Sequence, residues 1–193
     1  MWIDKSGALI DSFRYTKLHL FNLDLSDNDP PGPVMKECNT TEPGNEIVPP
    51  FDSPVGDVGS QICFDVRFPE PAIKLRRLGS QILVYPSAFT VPTGKLGHWE
   101  TLLKAQAIMN ECYVIAAAQC GRHNQKRVSY GDSMVVNPRG EIVGRLNRVD
   151  NADDEKESAR EPELLIVDID LSLVDTARKN IPLVRRTDVY PQI

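Results

Sequence analysis

Residues 59–89, "GSQICFDVRFPEPAIKLRRLGSQILVYPSAF", decide the fold. The apolar run Val58 to Cys63 reads as a strand that ends where an acid and an arginine follow at once. Pro69 to Leu78 reads as a helix. Pro71 lies in its first turn, where a missing N–H costs nothing, and Gly79 is the stop. Gln81 to Tyr85 is a second short apolar run, closed by Pro86, and reads as a buried strand. Strand, helix and strand in succession predict an α/β domain, with helices covering a largely buried mixed sheet.

Working outward, Gly97 to Glu111 is a predicted helix, with Trp99, Leu102, Leu103, Ala107 and Ile108 on roughly one face. Tyr113 to Ala118 is another apolar strand. Ser133 to Asn137 and Glu141 to Leu146 form a predicted hairpin around Pro138-Arg139-Gly140. Leu164 to Ile169 is a strand and Leu171 to Lys179 a short helix. On the N-terminal side, residues 2–10 read as a hairpin around Lys5-Ser6-Gly7, continuing into the extended segment "SFRYTKLHLFNLDL" (12–25). Residues 26–57 are dense in Pro, Gly, Asn and Asp and are expected to be one long loop. Residues 148–162 are expected to be a charged, mobile loop that packs nothing. No G-x-G-x-x-G follows a strand, and no P-loop or G-x-S-x-G elbow is present, which argues against a dinucleotide-binding or serine-hydrolase reading.

Composition narrows the function further. The 193 residues suffice for one domain with a real core. They are 41% hydrophobic and 25% charged, as in ordinary globular proteins. A formal net charge of −5 argues against nucleic acid or an anionic membrane as partner. No run approaches a membrane span, and no secretory leader opens the chain, so a cytoplasmic location with reduced thiols is expected. A mitochondrial location would need a transit peptide ahead of Met1.

Cys63 stands where a strand meets a charged turn, a place from which a thiol can project into a crevice. A following backbone N–H could then hold an oxyanion, and nearby positive charge could make the thiolate. The plain alternative is a small buried hydrophobe. Two activators compete. Lys17 alternates with Tyr15 and His19 along an extended segment, which predicts all three on one face. A Cys–His pair using His98 or His123, or less readily His19, is the rival. Cys112, Cys120 and His123 lack a fourth ligand and a CxxC spacing, so no metal is expected. Arg67 and Glu70 are expected to pair across the turn.

"SQICFDVRFPE" (60–70) resembles the nucleophile motif of the nitrilase, or carbon–nitrogen hydrolase, superfamily. "YTKLHLF" (15–21) is similar to that family's lysine motif. "YPSAF" (85–89), "GHWETLLKAQAIMNECYVIAAAQCG" (97–121) and "YGDSMVVNPRGEIV" (130–143) follow in the family's order, and the likeness extends to "RRTDVY" (185–190). Within the family, "AAAQCGRHNQKRVSYGDSMVVNP" (116–138) looks most like the Nit branch, the amidases of deaminated glutathione and the Nit halves of Nit–Fhit fusions.

The resemblance implies an α-β-β-α sandwich that forms homo-oligomers, needs no cofactor or metal, and hydrolyses small linear amides. Deaminated glutathione or a related ω-amide is the implied substrate. By the same resemblance Cys63 is the nucleophile, Lys17 the stabiliser of the oxyanion, and Phe64 the source of the oxyanion N–H. Asp24 and Glu100 are candidate supporting acids. The family's general-base glutamate precedes its lysine, and none of the 16 residues before Lys17 is Glu. Residues 1–193 are therefore expected to be a partial domain, lacking the N-terminal strands and helices. Its activity is in doubt, and a non-catalytic scaffold is the alternative.

Overall fold

The computed structural model describes residues 1–125, 127–154 and 161–191. The predicted N-terminal hairpin is present: β1 (Trp2–Ile3) pairs with β2 (Leu9–Ile10) around a turn at Gly7, whose φ of 87° suits glycine. A second small hairpin follows, formed by β3 (Asn22–Asp24) and β4 (Val34–Lys36). A 3₁₀ turn over Glu37–Asn39 and the strand β5 (Phe51–Ser53) come next. The expected single loop 26–57 thus contains two short strands. Their three-residue length is too short for a periodic signal, and Pro and Gly on both sides mask it.

The centre is a six-stranded mixed sheet. β5 runs antiparallel to β6 (Gly56–Ser60), and β6 is parallel to β7 (Ile82–Val84). α1 (Pro69–Arg77) makes the crossover between those two. Two helices, α2 (Val91–Lys95) and α3 (His98–Asn110), lead to the parallel strand β8 (Tyr113–Ala116). A two-stranded excursion, β9 (Cys120–Asn124) with β10 (Arg127–Tyr130), precedes the hairpin β11 (Met134–Val136) and β12 (Ile142–Arg145), which completes the sheet. The strand order is β12-β11-β8-β7-β6-β5. α4 (Ser172–Asn180) lies near the C-terminus. The α/β architecture expected from the alternating elements is the one observed.

Side-chain alternation sorts the sheet's two faces. Leu83, Tyr85, Val114, Ala116, Met134 and Val136 point to the helical side, where Ala72 and Leu75 of α1 and Trp99, Leu103 and Ala107 of α3 cover them. Ile82, Tyr113 and Val135 point the other way, to Val174 of α4 and the half-buried Leu165, Val167 and Ile169. Ile108, expected on the inner face of α3, is 53% exposed. The buried face of the helix runs through Trp99, Leu103, Gln106, Ala107 and Asn110, and Ile108 lies to one side of it.

Two further expectations change. Leu164 to Ile169 keeps a period-2 burial pattern, yet it forms no strand ladder among the described residues. Alternation is local, whereas a ladder needs a partner strand about 4.8 Å away. Residues 148–154 do pack: Val149 is fully buried and its N–H donates to the Tyr130 carbonyl at 2.8 Å. The charged neighbours of Val149 conceal that anchor in the sequence. Residues 155–160 of that expected loop lie outside the described residues. Among those described, no helix is long and apolar enough to cross a membrane.

Candidate active site

The parallel strands β6 and β7 end side by side, and the chain leaving β6 stays bonded to its neighbour. Gln61 N–H donates to the Val84 carbonyl and Cys63 N–H to the Pro86 carbonyl, each at 3.0 Å. Cys63 therefore sits just beyond the carboxyl ends of parallel strands, where α/β sheets build their crevices. The residue turns sharply there, with φ at +49°, and opens a 3₁₀ helix over Cys63–Arg67. A non-glycine residue in the left-handed region costs about 1 kcal/mol or more, so the surroundings must hold it. Among the first N–H groups of this helix, Cys63 donates to Pro86 and Asp65 to Ile62. Phe64 is one of the start positions that lack a carbonyl one turn back. Its ring meets those of Phe21 and Phe68 edge-on.

Asp65 is the hub of this turn. Its carboxylate is fully buried, and Oδ2 accepts from Ile62 N–H at 3.0 Å and from the Tyr15 hydroxyl at 2.7 Å. Oδ1 accepts from His19 N–H and His19 Nδ1, both at 2.9 Å. Burial, reinforced by the hydrogen bond to Asp65, pushes the Tyr15 hydroxyl far above its ordinary range, so it remains a donor. His19 also stacks on Phe68 with ring centroids 3.6 Å apart.

Tyr15 and His19 bracket Lys17, which is itself buried. Lys17 Nζ meets Glu37 Oε2 at 2.5 Å, and the same oxygen accepts from Phe21 N–H at 2.7 Å. The Lys17 carbonyl accepts from Gly44 N–H at 2.7 Å. That approach depends on glycine, because a Cβ at position 44 would lie 2.4 Å from the Thr16 carbonyl oxygen. The Lys17 segment is thus fixed on three sides: by Asp65, by Glu37 and by the loop at Gly44.

The supporting acids expected from the sequence lie elsewhere. Asp24 is on the exposed β3–β4 hairpin and pairs with Lys36 at 2.7 Å. Its carboxyl is held down to about 2, chiefly by the Lys36 hydrogen bond and then by Ser26. Glu37 stands beside Lys17 instead. It follows Lys17 by 20 residues across the β3–β4 hairpin, and no spacing rule points to it. Asp65 was more accessible to reading, as an acid inside an otherwise apolar stretch two residues after the thiol. Glu100 pairs with Lys104 at 3.1 Å and with Arg145 at 2.9 Å, and its carboxyl is lowered mainly by Lys104. It lines a cavity of about 270 Å³ together with Tyr130, Asp132, Arg145, Arg148 and Asp150.

The histidines have other partners than Cys63. His98 Nδ1 lies 3.3 Å from Arg67, His123 Nε2 is 2.7 Å from Ser129 Oγ, and His19 is bonded to Asp65. Arg67, expected to pair with Glu70, reaches His98 and the Phe64 and Phe89 rings. Cys112 is buried, with its sulfur 3.1 Å from the Ser80 carbonyl, and burial pushes its thiol up to about 11. All four cysteines are free thiols, and among the described residues no His, Cys, Asp and Glu group has a metal-holding arrangement.

Comparison with known proteins shows the family. The carbon-nitrogen hydrolase family matches residues 1–179. A Schizosaccharomyces pombe protein named "Probable hydrolase nit2" is 49% identical over 180 residues, covering 93% of this chain and 60% of its own length. Mouse deaminated glutathione amidase is 43% identical over 190 residues, which is 97% of this chain and 53% of the mouse protein. The crystal structure of the Caenorhabditis elegans NitFhit protein superposes with a TM-score of 0.75 at 46% identity, covering 91% of this chain and 39% of that one. The chain spans little more than half the length of the two relatives matched by sequence.

Proposed function

The chain belongs to the carbon–nitrogen hydrolase family, and on that premise we propose that it cleaves linear amide C–N bonds through a thioester on Cys63. Deaminated glutathione or a related ω-amide is the proposed substrate, in keeping with the name of the mouse relative. The observation that carries this reading is the joining of two segments at one buried carboxylate. Asp65 bonds both to the turn that strains Cys63 and to the residues on either side of Lys17.

The Cys63 thiol gives its proton to a carboxylate base, and the thiolate sulfur bonds to the amide carbon. Lys17 and the Phe64 N–H hold the resulting oxyanion. The C–N bond breaks as the nitrogen takes up the proton and leaves, as the amine of the remaining dipeptide from deaminated glutathione or as ammonia from a primary ω-amide. Water then adds to the thioester carbon while the base takes its proton. Breaking the C–S bond releases the acid and restores the thiol. The family resemblance assigns the proton transfers to a glutamate ahead of the lysine, and residues 1–16 contain none. Glu37 is the carboxylate that this chain brings to Lys17. General acid–base help is worth roughly 10²–10⁴-fold, so residues 1–193 should acylate and turn over poorly. The second reading is a scaffold of this fold that binds without catalysis.

Mass-spectrometric mapping after brief iodoacetamide treatment tests the proposal. Cys63 should be modified first near neutral pH, ahead of the exposed Cys38, and Lys17→Met should slow it. Cys38 reacting first, or a Cys63 rate indifferent to Lys17→Met, would overturn the lysine-assisted reading. Prolonged incubation with deaminated glutathione should slowly build an acyl adduct on Cys63. A Cys63 that alkylates first yet gains no acyl adduct even then would instead support the scaffold.

A further inference from the structure

We propose that Asp65 is a positioning residue of this site, acting on the chemistry through Lys17. The inference rests on the reading of Cys63 and Lys17 given above. A carboxylate offers about four acceptor positions, and Asp65 uses four, all on donors within the protein. Three of them, the Tyr15 hydroxyl, His19 N–H and His19 Nδ1, belong to residues two places before and two places after Lys17. The fourth, Ile62 N–H, belongs to the residue just before Cys63. No strand ladder holds residues 15–19. Asp65 is therefore the polar tie between the lysine's backbone and the nucleophile turn. A merely structural acid could sit anywhere in the core. This one is buried between the two segments whose separation sets the reaction geometry.

Asp65→Asn replaces one acceptor oxygen with a donor, so part of this network faces N–H against N–H or O–H. The Lys17 segment should then drift from the turn. Misplacement of the order of 1 Å is enough to slow a positioned reaction by about tenfold or more.

The test is the alkylation rate of Cys63 in the 193-residue chain, measured in a double-mutant cycle with Lys17→Met. Asp65→Asn alone should slow alkylation by about tenfold, and on the Lys17→Met background it should add little. Cys112, buried and with its thiol raised, reports unfolding in the same spectrum, because it reacts only when the core opens. Should Asp65→Asn expose Cys112, Tyr15→Phe carries the test, since it removes one of the four bonds and keeps the ring. It should slow Cys63 by a smaller factor and again only while Lys17 is present. Slowing that multiplies fully with Lys17→Met, or none in a folded variant, overturns the positioning role. If Cys63 is not the fastest thiol in the unaltered chain, the proposed function fails and the positioning role with it. If Cys63 is fastest and slowed by Lys17→Met, but indifferent to Asp65→Asn and to Tyr15→Phe, only the assignment of Asp65 fails.

Discussion

The turn that carries Cys63 and the strap that carries Lys17 are built on different physics. The turn grows out of a parallel strand in the middle of the sheet. Val66, three residues on, is fully buried in the main core with Leu75, Leu83, Trp99 and Leu103. The strap lies outside every ladder of the sheet. Its hold is chiefly polar, through Asp65, Glu37 and the Gly44 N–H, with Tyr15 as its one buried apolar body and the ring contacts of His19 with Phe68 and Phe21 with Phe64 beside them. Packing is non-directional and shared among many atoms, so a turn anchored that way resists single changes until the core itself fails. Hydrogen bonds are directional and few, so a strap held by them can shift while the domain stays folded. The site therefore joins a half set by the core to a half that can be loosened separately.

That contrast can be broken by substitution. The largest expected effect is on the packed half. Leu103→Ala removes a fully buried side chain between α3 and the sheet and should cost about 2–5 kcal/mol of global stability, read from a urea melt. Below the melt, the Cys63 alkylation rate should stay near that of the unaltered chain. A selective loss of Cys63 reactivity in still-folded protein would show that the packed half is the fragile one.

Gly44→Ala should give an intermediate effect of the opposite kind. Its Cβ would meet the Thr16 carbonyl at 2.4 Å, and a backbone atom cannot rotate away. The loss should be about 1–3 kcal/mol, as for other overpacked sites. The slowing of Cys63 should be out of proportion to that loss, because the clash falls on the residue next to Lys17. A cooperative melt shifted downward with Cys63 unaffected would place the strap's hold elsewhere.

The smallest effect sharpens the same distinction. Asp24 and Glu37 are both acids in the segment after Lys17, but only Glu37 touches it. Asp24→Asn removes an exposed pair with Lys36 and should leave both the melt and the alkylation rate nearly unchanged. Glu37→Ala should change that rate, since it leaves a buried ammonium without its partner. Equal responses from the two variants would remove Glu37 from the site.

Much of the fold was legible from local signals. Pro71 and Gly79 bracket α1, the apolar run at 82–84 marks β7, and the Pro138-Arg139-Gly140 turn marks the last hairpin, because these features act over a few residues. The thiol just past the end of a strand was legible for the same reason, and the family resemblance picked out Lys17. What the chain could not disclose by itself depends on contacts between distant residues. Glu37 reaches Lys17 only because the β3–β4 hairpin turns the chain back beside it. Val149 is buried in a run of charge because Tyr130 offers its carbonyl. Residues 164–169 have the alternation of a strand yet pair with no strand among the described residues. Above all, the left-handed conformation of Cys63 and the four bonds of Asp65 are properties of the assembled turn. Hydrophobic period and turn chemistry are written residue by residue, whereas the partner of a buried polar group is chosen only when the chain closes on itself.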